Sequence, residues 1–162
     1  MRLTQQTSYS IRVLIYCAAN PGRNSRIRDI ATTYAISELH LFKIMHVLVE
    51  QGYIETVRGR NGGIRLARPA SDITVGEVVR ATESNFHLVD CFDEAHRDCP
   101  LVNSCGFNGV LSEALRAFFA VLDSYSIADI ASNRGALQSL LEIEATPLHP
   151  MLEASYVPGS RQ

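Results

Sequence analysis

Apolar side chains recur at helical spacing near the start of the chain. The pattern over residues 3–19 predicts a first helix, which Thr4 or Thr7 can cap at its start. The Asn-Pro-Gly sequence at 20–22 is expected to end this helix, because proline cannot continue a helix and glycine suits the turn that follows. The inward-facing positions of the helix are Leu3, Ile11, Leu14, Ile15 and Ala18.

Two further helical segments lie close together at residues 25–52. Ser25 is expected to cap the first, over residues 26–34, and Ser37 to cap a longer one that stops at Gly52. Helix, tight turn and capped helix is the order of a helix-turn-helix, whose second helix enters the major groove of DNA. A helical hairpin without a ligand would show the same pattern. The residues predicted to contact bases are Ser37, Glu38, His40 and Lys43.

The next stretch alternates between apolar and polar residues, as β-strands do. Residues 53–57 and 64–66 predict two strands, and the Asn-Gly-Gly sequence at 61–63 supplies the positive-φ residues of a tight turn. Arginines on a glycine-rich tip can approach phosphates or a minor groove closely, although many basic hairpins are only solvated loops. Directly after a helix-turn-helix, this hairpin is predicted to be the wing of a winged helix. Its predicted DNA contacts are Arg58, Arg60, Asn61, Gly62 and Arg65, with Arg68 extending the basic patch.

A capped helix and a much longer one are predicted in the second half of the chain. Thr74 begins the first of these, and Glu77 three residues later is expected to complete a capping box. The longer helix would measure about 28 Å at 1.5 Å per residue. Its apolar stripe is wide, with Phe119 off the main seam, so we predict pairing with a second copy; packing within one chain is the alternative. The stripe consists of Phe107, Val110, Leu111, Ala114, Leu115, Phe118, Val121, Leu122 and Tyr125.

Together these elements predict a mainly α-helical protein with a small β-hairpin, in which a winged helix-turn-helix is followed by a long C-terminal dimerisation helix. The expected divisions are a DNA-binding domain at 1–83, a loop at 84–106, the dimerisation helix and following turn at 107–135, and a C-terminal extension at 136–162. The last part of the extension contains three prolines and is expected to be disordered or loosely attached.

Charge is distributed unevenly along the chain. The formal net charge is −2, but residues 1–68 contain ten Lys or Arg and four Asp or Glu, a net +6, whereas residues 69–162 carry a net −8. A basic half joined to an acidic half suggests that only the first half binds a polyanion such as double-stranded DNA. No apolar run approaches the ~18 residues of a membrane span. The N-terminus also lacks the layout of a signal peptide, so we expect a cytoplasmic protein without a membrane partner.

Three cysteines lie in an acidic segment that shows no helical period. Cys91, Cys99 and Cys105 are separated by seven and five residues, a spacing too wide for the C-x-x-C knuckles of structural zinc. In a reducing cytosol such cysteines are more often metal ligands or redox groups than disulfides. Three thiolates suit an iron–sulfur cluster, although a zinc-bound loop is an alternative. Cys17, in the first helix, is expected to be a small buried hydrophobe rather than a fourth ligand.

The wing and the cysteine triplet together resemble the bacterial winged-helix repressors that include the iron–sulfur cluster regulator and the nitric-oxide-sensitive repressor. The resemblance covers about residues 1–135. It rests on the opening M-R-L-T, the helix start I-S-E-L-H-L-F-K-I at 36–44, the wing V-R-G-R-N-G-G at 57–63, and the cysteine triplet. The likeness to the rhizobial iron regulators of this family is strong in C-P-L-V-N-S-C at 99–105 and A-F-F-A-V-L at 117–122.

This resemblance implies a homodimeric DNA-binding repressor with an iron–sulfur cluster, [4Fe–4S] in preference to [2Fe–2S], in the loop before the long helix. Carried over by position, Cys91, Cys99 and Cys105 would be the cluster ligands. One relative completes the site with a histidine where this chain has Asn108, and another with an aspartate where it has Ser8. Ser8 is therefore a candidate fourth ligand, beside a nearby acidic group, a thiol or solvent.

The function that these observations predict is repression of transcription under control of the cluster. Iron would favour the DNA-competent form, and the resemblance implies genes for iron uptake or iron–sulfur assembly as targets. Nitric oxide or redox state is the alternative signal. An electron-transfer protein without DNA binding is the rival from another class. The sequence shows no nucleophile–base pair that would indicate an enzyme.

Overall fold

The computed structural model describes residues 2–93, 99–101, 104–141 and 143. The first half of the chain forms helices α1 (Gln5–Ala19), α2 (Ile27–Tyr34) and α3 (Glu38–Glu50), then strands β1 (Ile54–Val57) and β2 (Gly63–Leu66). The second half forms helices α4 (Val75–Thr82), α5 (Gly106–Asp123), α6 (Ile127–Ile130) and α7 (Arg134–Leu140). Short 3-10 turns lie at Ala70–Asp72 and Asp90–Phe92. A mainly helical protein with one antiparallel hairpin confirms the predicted fold class.

Helix α1 lies at the centre of the fold. The Thr4 side chain accepts a hydrogen bond from the Thr7 backbone and caps the helix, and Asn20 ends it, as the sequence predicted. Helices α3, α4, α6 and α7 and strand β2 all pack against α1. Because Val13 and Leu14 have no exposed surface, α1 supplies core contacts to the DNA-binding half and to the C-terminal helices alike.

One hydrophobic core runs from the helix-turn-helix to α6. Large apolar side chains from both halves of the chain are almost inaccessible to solvent, and the burial of each contributes roughly 1.5–3 kcal/mol to folding. They include Leu14, Ile30, Leu41, Ile44, Leu48, Ile54, Ile64, Ile73, Val78 and Ile127.

The helix-turn-helix has the predicted turn but a different cap on its first helix. Ala35 adopts a left-handed conformation, with φ of 51°, between α2 and α3, and Ser37 caps α3 as predicted. The prediction that Ser25 caps α2 is wrong, because Arg26 occupies the N-cap position. Ser25 instead pairs with Ile64 through two backbone hydrogen bonds of 2.8 and 2.9 Å, which attach the start of α2 to the hairpin.

Helix α4 is capped by Thr74 as predicted, but Glu77 has a different role from the one expected. The Thr74 hydroxyl accepts a hydrogen bond from the Glu77 backbone at 3.1 Å. The Glu77 carboxylate accepts a hydrogen bond from Arg68 instead of completing a capping box. Arg68 therefore joins the end of the hairpin to α4. A complete capping box forms at α6, between Ser126 and Asp129.

Helix α5 is attached to α4 through its C-terminal half. The Arg80 guanidinium donates two hydrogen bonds to the Asp123 carboxylate, at 2.7 and 2.6 Å. The same guanidinium lies 4.2 Å from the centroid of the Phe119 ring, and this ring meets Phe86 edge to face at 4.7 Å. Phe119 thus packs within the chain, which explains its place off the main apolar stripe.

The remainder of α5 leaves much apolar surface open. None of its 18 residues is fully buried. Five residues at steps of three and four form one exposed face, which we term the outer stripe: Phe107, Val110, Ala114, Ala117 and Val121. Within the described ranges, no helix combines the length and apolar character that crossing a bilayer requires.

The sequence analysis missed the last helix. Asn133 caps α7 with its side chain, Gln138 donates a hydrogen bond of 2.8 Å to the Ala19 carbonyl at the end of α1, and Leu141 is buried. The folded part of the chain therefore continues past the boundary predicted at 136. The disorder expected for 145–162 falls outside the described residues.

Gly76 on α4 permits the close approach of α5, because a Cβ atom there would lie 1.9 Å from Asp123 Oδ1 and 3.1 Å from its backbone nitrogen. We expect Gly76→Ala to overpack this contact and to lower the free energy of unfolding by roughly 1–3 kcal/mol. Gly135→Ala on α7 is the matched control, since a Cβ there meets no described atom within 4 Å; it should be neutral or slightly stabilising. Urea denaturation measures both effects. Equal stability of the two variants would show that α5 shifts freely at this contact.

Candidate nucleic-acid interface and cysteine loop

The exposed face of α3 presents most of the predicted base-contacting residues. Ser37, Glu38 and Lys43 are exposed. The His40 ring, in contrast, is half-buried and meets Tyr9 of α1 edge to face, with 5.4 Å between the ring centroids. Its Nε2 atom is buried and has no hydrogen-bond partner among the described residues. This nitrogen therefore faces the protein rather than a base edge, and His40 serves to connect α3 with α1.

Two apolar residues of α3 were not among the sequence-based candidates. Leu39 is 73% exposed and Phe42 is 51% exposed. The signal was present in the sequence, because both residues fall outside the helical stripe that is buried. That stripe consists of Leu41, Ile44, Met45 and Leu48.

The wing presents two arginines at its tip. Arg58 and Arg60 are exposed, and neither forms an ion pair with another residue in the part of the chain that is described. Arg65 is also exposed, but its Nε atom lies 2.5 Å from Glu55 Oε1 on the paired strand. Arg68 is bonded to Glu77 and so does not extend the patch. Of the arginines predicted at the wing, the two at the tip are therefore those that form no ion pair among the described residues.

The segment between α1 and α2 holds the wing in place. Asn24 Nδ2 donates a hydrogen bond of 2.8 Å to the backbone carbonyl of Asn61. The backbone bridge between Ser25 and Ile64 lies beside this contact. The position of the wing relative to α2 thus depends on an asparagine that the sequence analysis did not single out.

Close backbone contacts explain the glycines of the wing. A Cβ atom on Gly62 would lie 2.6 Å from the carbonyl oxygen of Val57, and one on Gly63 would lie 2.5 Å from the carbonyl oxygen of Ser25. Gly59 has φ of +106°, a conformation that side chains rarely allow. The positive φ predicted over 61–63 occurs at Gly63 but not at Asn61 or Gly62, and the left-handed residue of the turn is Gly59 instead. Gly62 is required by its close backbone contacts.

Three cysteines lie on the segment between α4 and α5, which we term the cysteine loop (84–105). Cys91 is half-buried in the 3-10 turn, Cys99 is exposed, and Cys105 is half-buried at the N-cap position of α5. All three are free thiols. Among the residues described, no three His, Cys, Asp or Glu side chains lie close enough to hold a metal ion. The convergence of these cysteines on one centre therefore stays a prediction.

Comparison with known proteins gives the family. The model of the Rrf2 family, described as an iron-dependent transcriptional regulator, matches residues 3–133. The chain belongs to the Rrf2 family. Among relatives, it is 48% identical over 145 residues to the HTH-type transcriptional regulator NsrR of Bacillus subtilis, which covers 89% of this chain and 99% of that protein. It is 52% identical over 155 residues to Protein aau3 of Rhizobium meliloti, with 96% of this chain and all of that protein covered.

Solved structures of similar shape support the same fold. IscR of T. potens gives a TM-score of 0.66 at 23% identity and covers 94% of this chain and 96% of that one. CymR (YrzC), the global cysteine regulator of B. subtilis, gives a TM-score of 0.65 at 24% identity, with 82% and 97% covered. The Rrf2 protein described here is thus a DNA-binding, winged helix-turn-helix transcriptional regulator and not an enzyme, as the sequence predicted.

Cys17 of this Rrf2 protein has an environment unlike that of the loop cysteines. It is buried in α1, and burial raises the pKa of its thiol to about 12, which a hydrogen bond with Ser25 only partly offsets. Because the thiolate is the metal-binding form, this environment disfavours ligation. The structure confirms the interpretation of Cys17 as a small buried residue.

The loop cysteines fit an iron–sulfur group, because they supply sulfur ligands and because their side chains are accessible from solvent. All three are at least partly exposed. Cys105 stands at the N-cap position of the 18-residue helix α5. Four-thiolate ligation is common for such groups. With Cys17 buried, a full ligand set would need a donor other than the fourth cysteine.

Proposed function

We propose that this Rrf2 protein is a repressor whose affinity for its operator depends on an iron–sulfur cluster bound by Cys91, Cys99 and Cys105. The observation that carries the proposal is the position of the cysteine loop, which leads from α4 of the winged-helix body into the exposed helix α5. The proposed signal is iron availability, the proposed targets are iron-uptake genes, and the proposed location is the cytoplasm. The family description as iron-dependent supports the choice of signal, and we favour a [4Fe–4S] over a [2Fe–2S] cluster.

Residues at the end of α4 tie the cysteine loop to α1. Thr7 Oγ1 and Thr82 Oγ1 share a buried hydrogen bond of 2.8 Å. The Glu83 carboxylate accepts hydrogen bonds from the Thr4 backbone at 2.7 Å and from the Thr7 hydroxyl at 2.5 Å. A displacement of the loop just after Glu83 would therefore act directly on the start of α1.

Helix α1 in turn contacts the helix that enters the major groove. Tyr9 packs on His40 of α3, and the Arg12 guanidinium lies 5.4 Å from the Tyr9 ring centroid. Ser8 precedes Tyr9 and is exposed, so we retain Ser8 as the candidate fourth ligand, supplied by a second copy of the chain. When bound, the cluster would supply iron–ligand bonds that join the loop to α1 of the second copy. A coupling free energy of about 1–3 kcal/mol would change operator affinity roughly 5–150-fold.

The outer stripe of α5 is the proposed contact between two copies of the chain. Phe107 and Val110 are 62% and 63% exposed. The stripe continues through Ala114 and Ala117 to Val121, and the small alanine side chains allow two helices to approach closely. An apolar face of this length on one helix is typical of an interface rather than of a solvated surface. A two-fold dimer would present two α3 helices to a palindromic operator.

Nitric oxide or redox state is the second candidate signal. Cys99 is exposed, so a group bound there would be accessible to small reactive molecules. Rates of cluster loss under chelator, air and nitric oxide would rank the three inputs. An electron carrier without DNA binding, the rival from another class, does not agree with membership of a family of transcriptional regulators.

Arg60 at the wing tip is expected to contact a phosphate or the minor groove. Arg60→Ala should weaken binding to all DNA sequences and reduce the slope of log affinity against log salt by about 1, because fewer counterions are released. Arg116→Ala is the control, since it removes an exposed arginine of α5 outside the winged helix. Fluorescence anisotropy titrations over a range of salt concentrations give both slopes. An unchanged slope for the wing variant would argue against the contact.

Cys99→Ala is expected to prevent retention of the cluster, because it removes one thiolate ligand. Cys17→Ala is the matched control and should retain iron and sulfide, since that thiol is buried in α1. Iron and sulfide counts and the visible spectrum of anaerobically purified protein provide the measurement. Operator binding is then compared for the cluster-loaded wild type before and after chelation. Equal affinity in both states would contradict control by the cluster, even with DNA binding retained.

Val110→Glu is expected to dissociate the proposed dimer, because it places a charge in the middle of the apolar outer stripe. Leu140→Glu is the matched control, since Leu140 is 78% exposed on α7 and lies outside the stripe. Sedimentation velocity at micromolar concentration distinguishes monomer from dimer. The proposal fails if the stripe variant and the control sediment alike as dimers, or if the wild type is a monomer.

A further inference from the structure

We infer that Leu39 and Phe42 make this regulator prefer thymine at defined operator positions, by apolar contact with thymine C5-methyl groups in the major groove. The inference rests on the operator binding of the proposed function, but not on its control by a cluster. Neither side chain was among the polar and basic residues predicted to contact bases.

Both side chains occupy the part of α3 that approaches bases. The N-terminal residues of the second helix of a helix-turn-helix lie nearest to base edges, and Leu39 and Phe42 lie in the first half of α3, which runs from Glu38 to Glu50. They are the two most exposed apolar residues of that helix, at 73% and 51%. Because the two residues are three apart, they form one patch on a single helical face.

The charged neighbours of the patch favour DNA as its partner. Lys43 and His46 are exposed on the same face, and the wing adds the exposed arginines Arg58 and Arg60. Glu38 is the acidic group of this face, and a glutamate there can accept a hydrogen bond from cytosine. An apolar pair within a basic surface suits a polyanion that also presents methyl groups. A protein partner of apolar character would be less well matched.

Among the base edges of the major groove, thymine is the one that offers an apolar group. The other edges present hydrogen-bond donors and acceptors, which an exposed leucine or phenylalanine would desolvate without replacement. His40, the polar residue between Leu39 and Phe42, has its Nε2 atom buried against the protein. His40 Nε2 therefore adds no polar contact beside these two side chains, whose own contacts are apolar, and thymine satisfies them.

The test uses a DNA duplex that the wild-type protein enriches from a random-sequence pool. Each thymine of the half-site is replaced in turn by deoxyuridine, which removes only the C5-methyl group. Wild-type protein should lose about fourfold in affinity at each of two positions, the value expected for burial of one methyl group. Phe42→Ala should bind the thymine and uracil duplexes equally at one of those positions, and Leu39→Ala at the other.

Val49→Ala is the matched control, because Val49 is an exposed apolar residue near the far end of α3. It should keep the wild-type preference for thymine over uracil. The inference is overturned if wild-type protein shows no sensitivity at any thymine, or if Phe42→Ala and Leu39→Ala keep the wild-type ratio. A change in oligomeric state with an unchanged ratio would also overturn it, because the patch would then bind protein. Since the assay compares two duplexes on the same protein, its result does not depend on whether chelation alters affinity.

Discussion

The contact between Arg80 and Asp123, together with backbone hydrogen bonds from Val75 to Tyr125 and from Ile127 to Ile73, holds the C-terminal end of α5 against α4. The guanidinium donates two hydrogen bonds to the carboxylate and also lies over the Phe119 ring. Through the first of these interactions it lowers the pKa of Asp123. The attachment is at the C-terminal end of α5, whereas Cys105 lies at the opposite end of this 18-residue helix. The cysteine loop joins α4 to that opposite end.

The cysteines lie between α1, which belongs to the core, and α5, which has no fully buried residue. On one side, Glu83 and Thr82 are bonded to the first turn of α1, which belongs to the core of the winged helix. On the other side, α5 shows no fully buried residue and exposes its outer stripe. A ligand that fixes the loop would therefore restrict α5 relative to α1 without any change in the hydrophobic core. This explains in physical terms how a site outside the winged helix could alter DNA affinity, since α1 also contacts α3 through Tyr9 and His40.

The sequence predicted those features whose causes lie within a few residues. Ser37 and Thr74 cap their helices because capping joins a side chain to a backbone group three residues away. The features it missed depend on distant partners. Ser25 pairs with Ile64 rather than with α2, Arg68 with Glu77, and His40 with Tyr9. The type and spacing of the cysteines were evident from the sequence, but their mutual distances were not. Leu39 and Phe42 were overlooked because only polar and charged residues of α3 were considered as base contacts.

The ion pairs of the wing arginines indicate which part of the molecule provides affinity for DNA and which part provides sequence specificity. Of the four arginines predicted at the wing, Arg65 and Arg68 are occupied by carboxylates of the same chain, which leaves the two at the tip for phosphates. Phosphate contacts raise affinity for every DNA sequence and carry no direct base information. We therefore expect discrimination to come mainly from α3, where the His40 Nε2 atom is buried. A helix that presents Leu39 and Phe42 beside Lys43 can favour operators by the placement of methyl groups as well as by hydrogen bonds. The apolar surface that α3 leaves in water is then a requirement of recognition rather than a defect of packing.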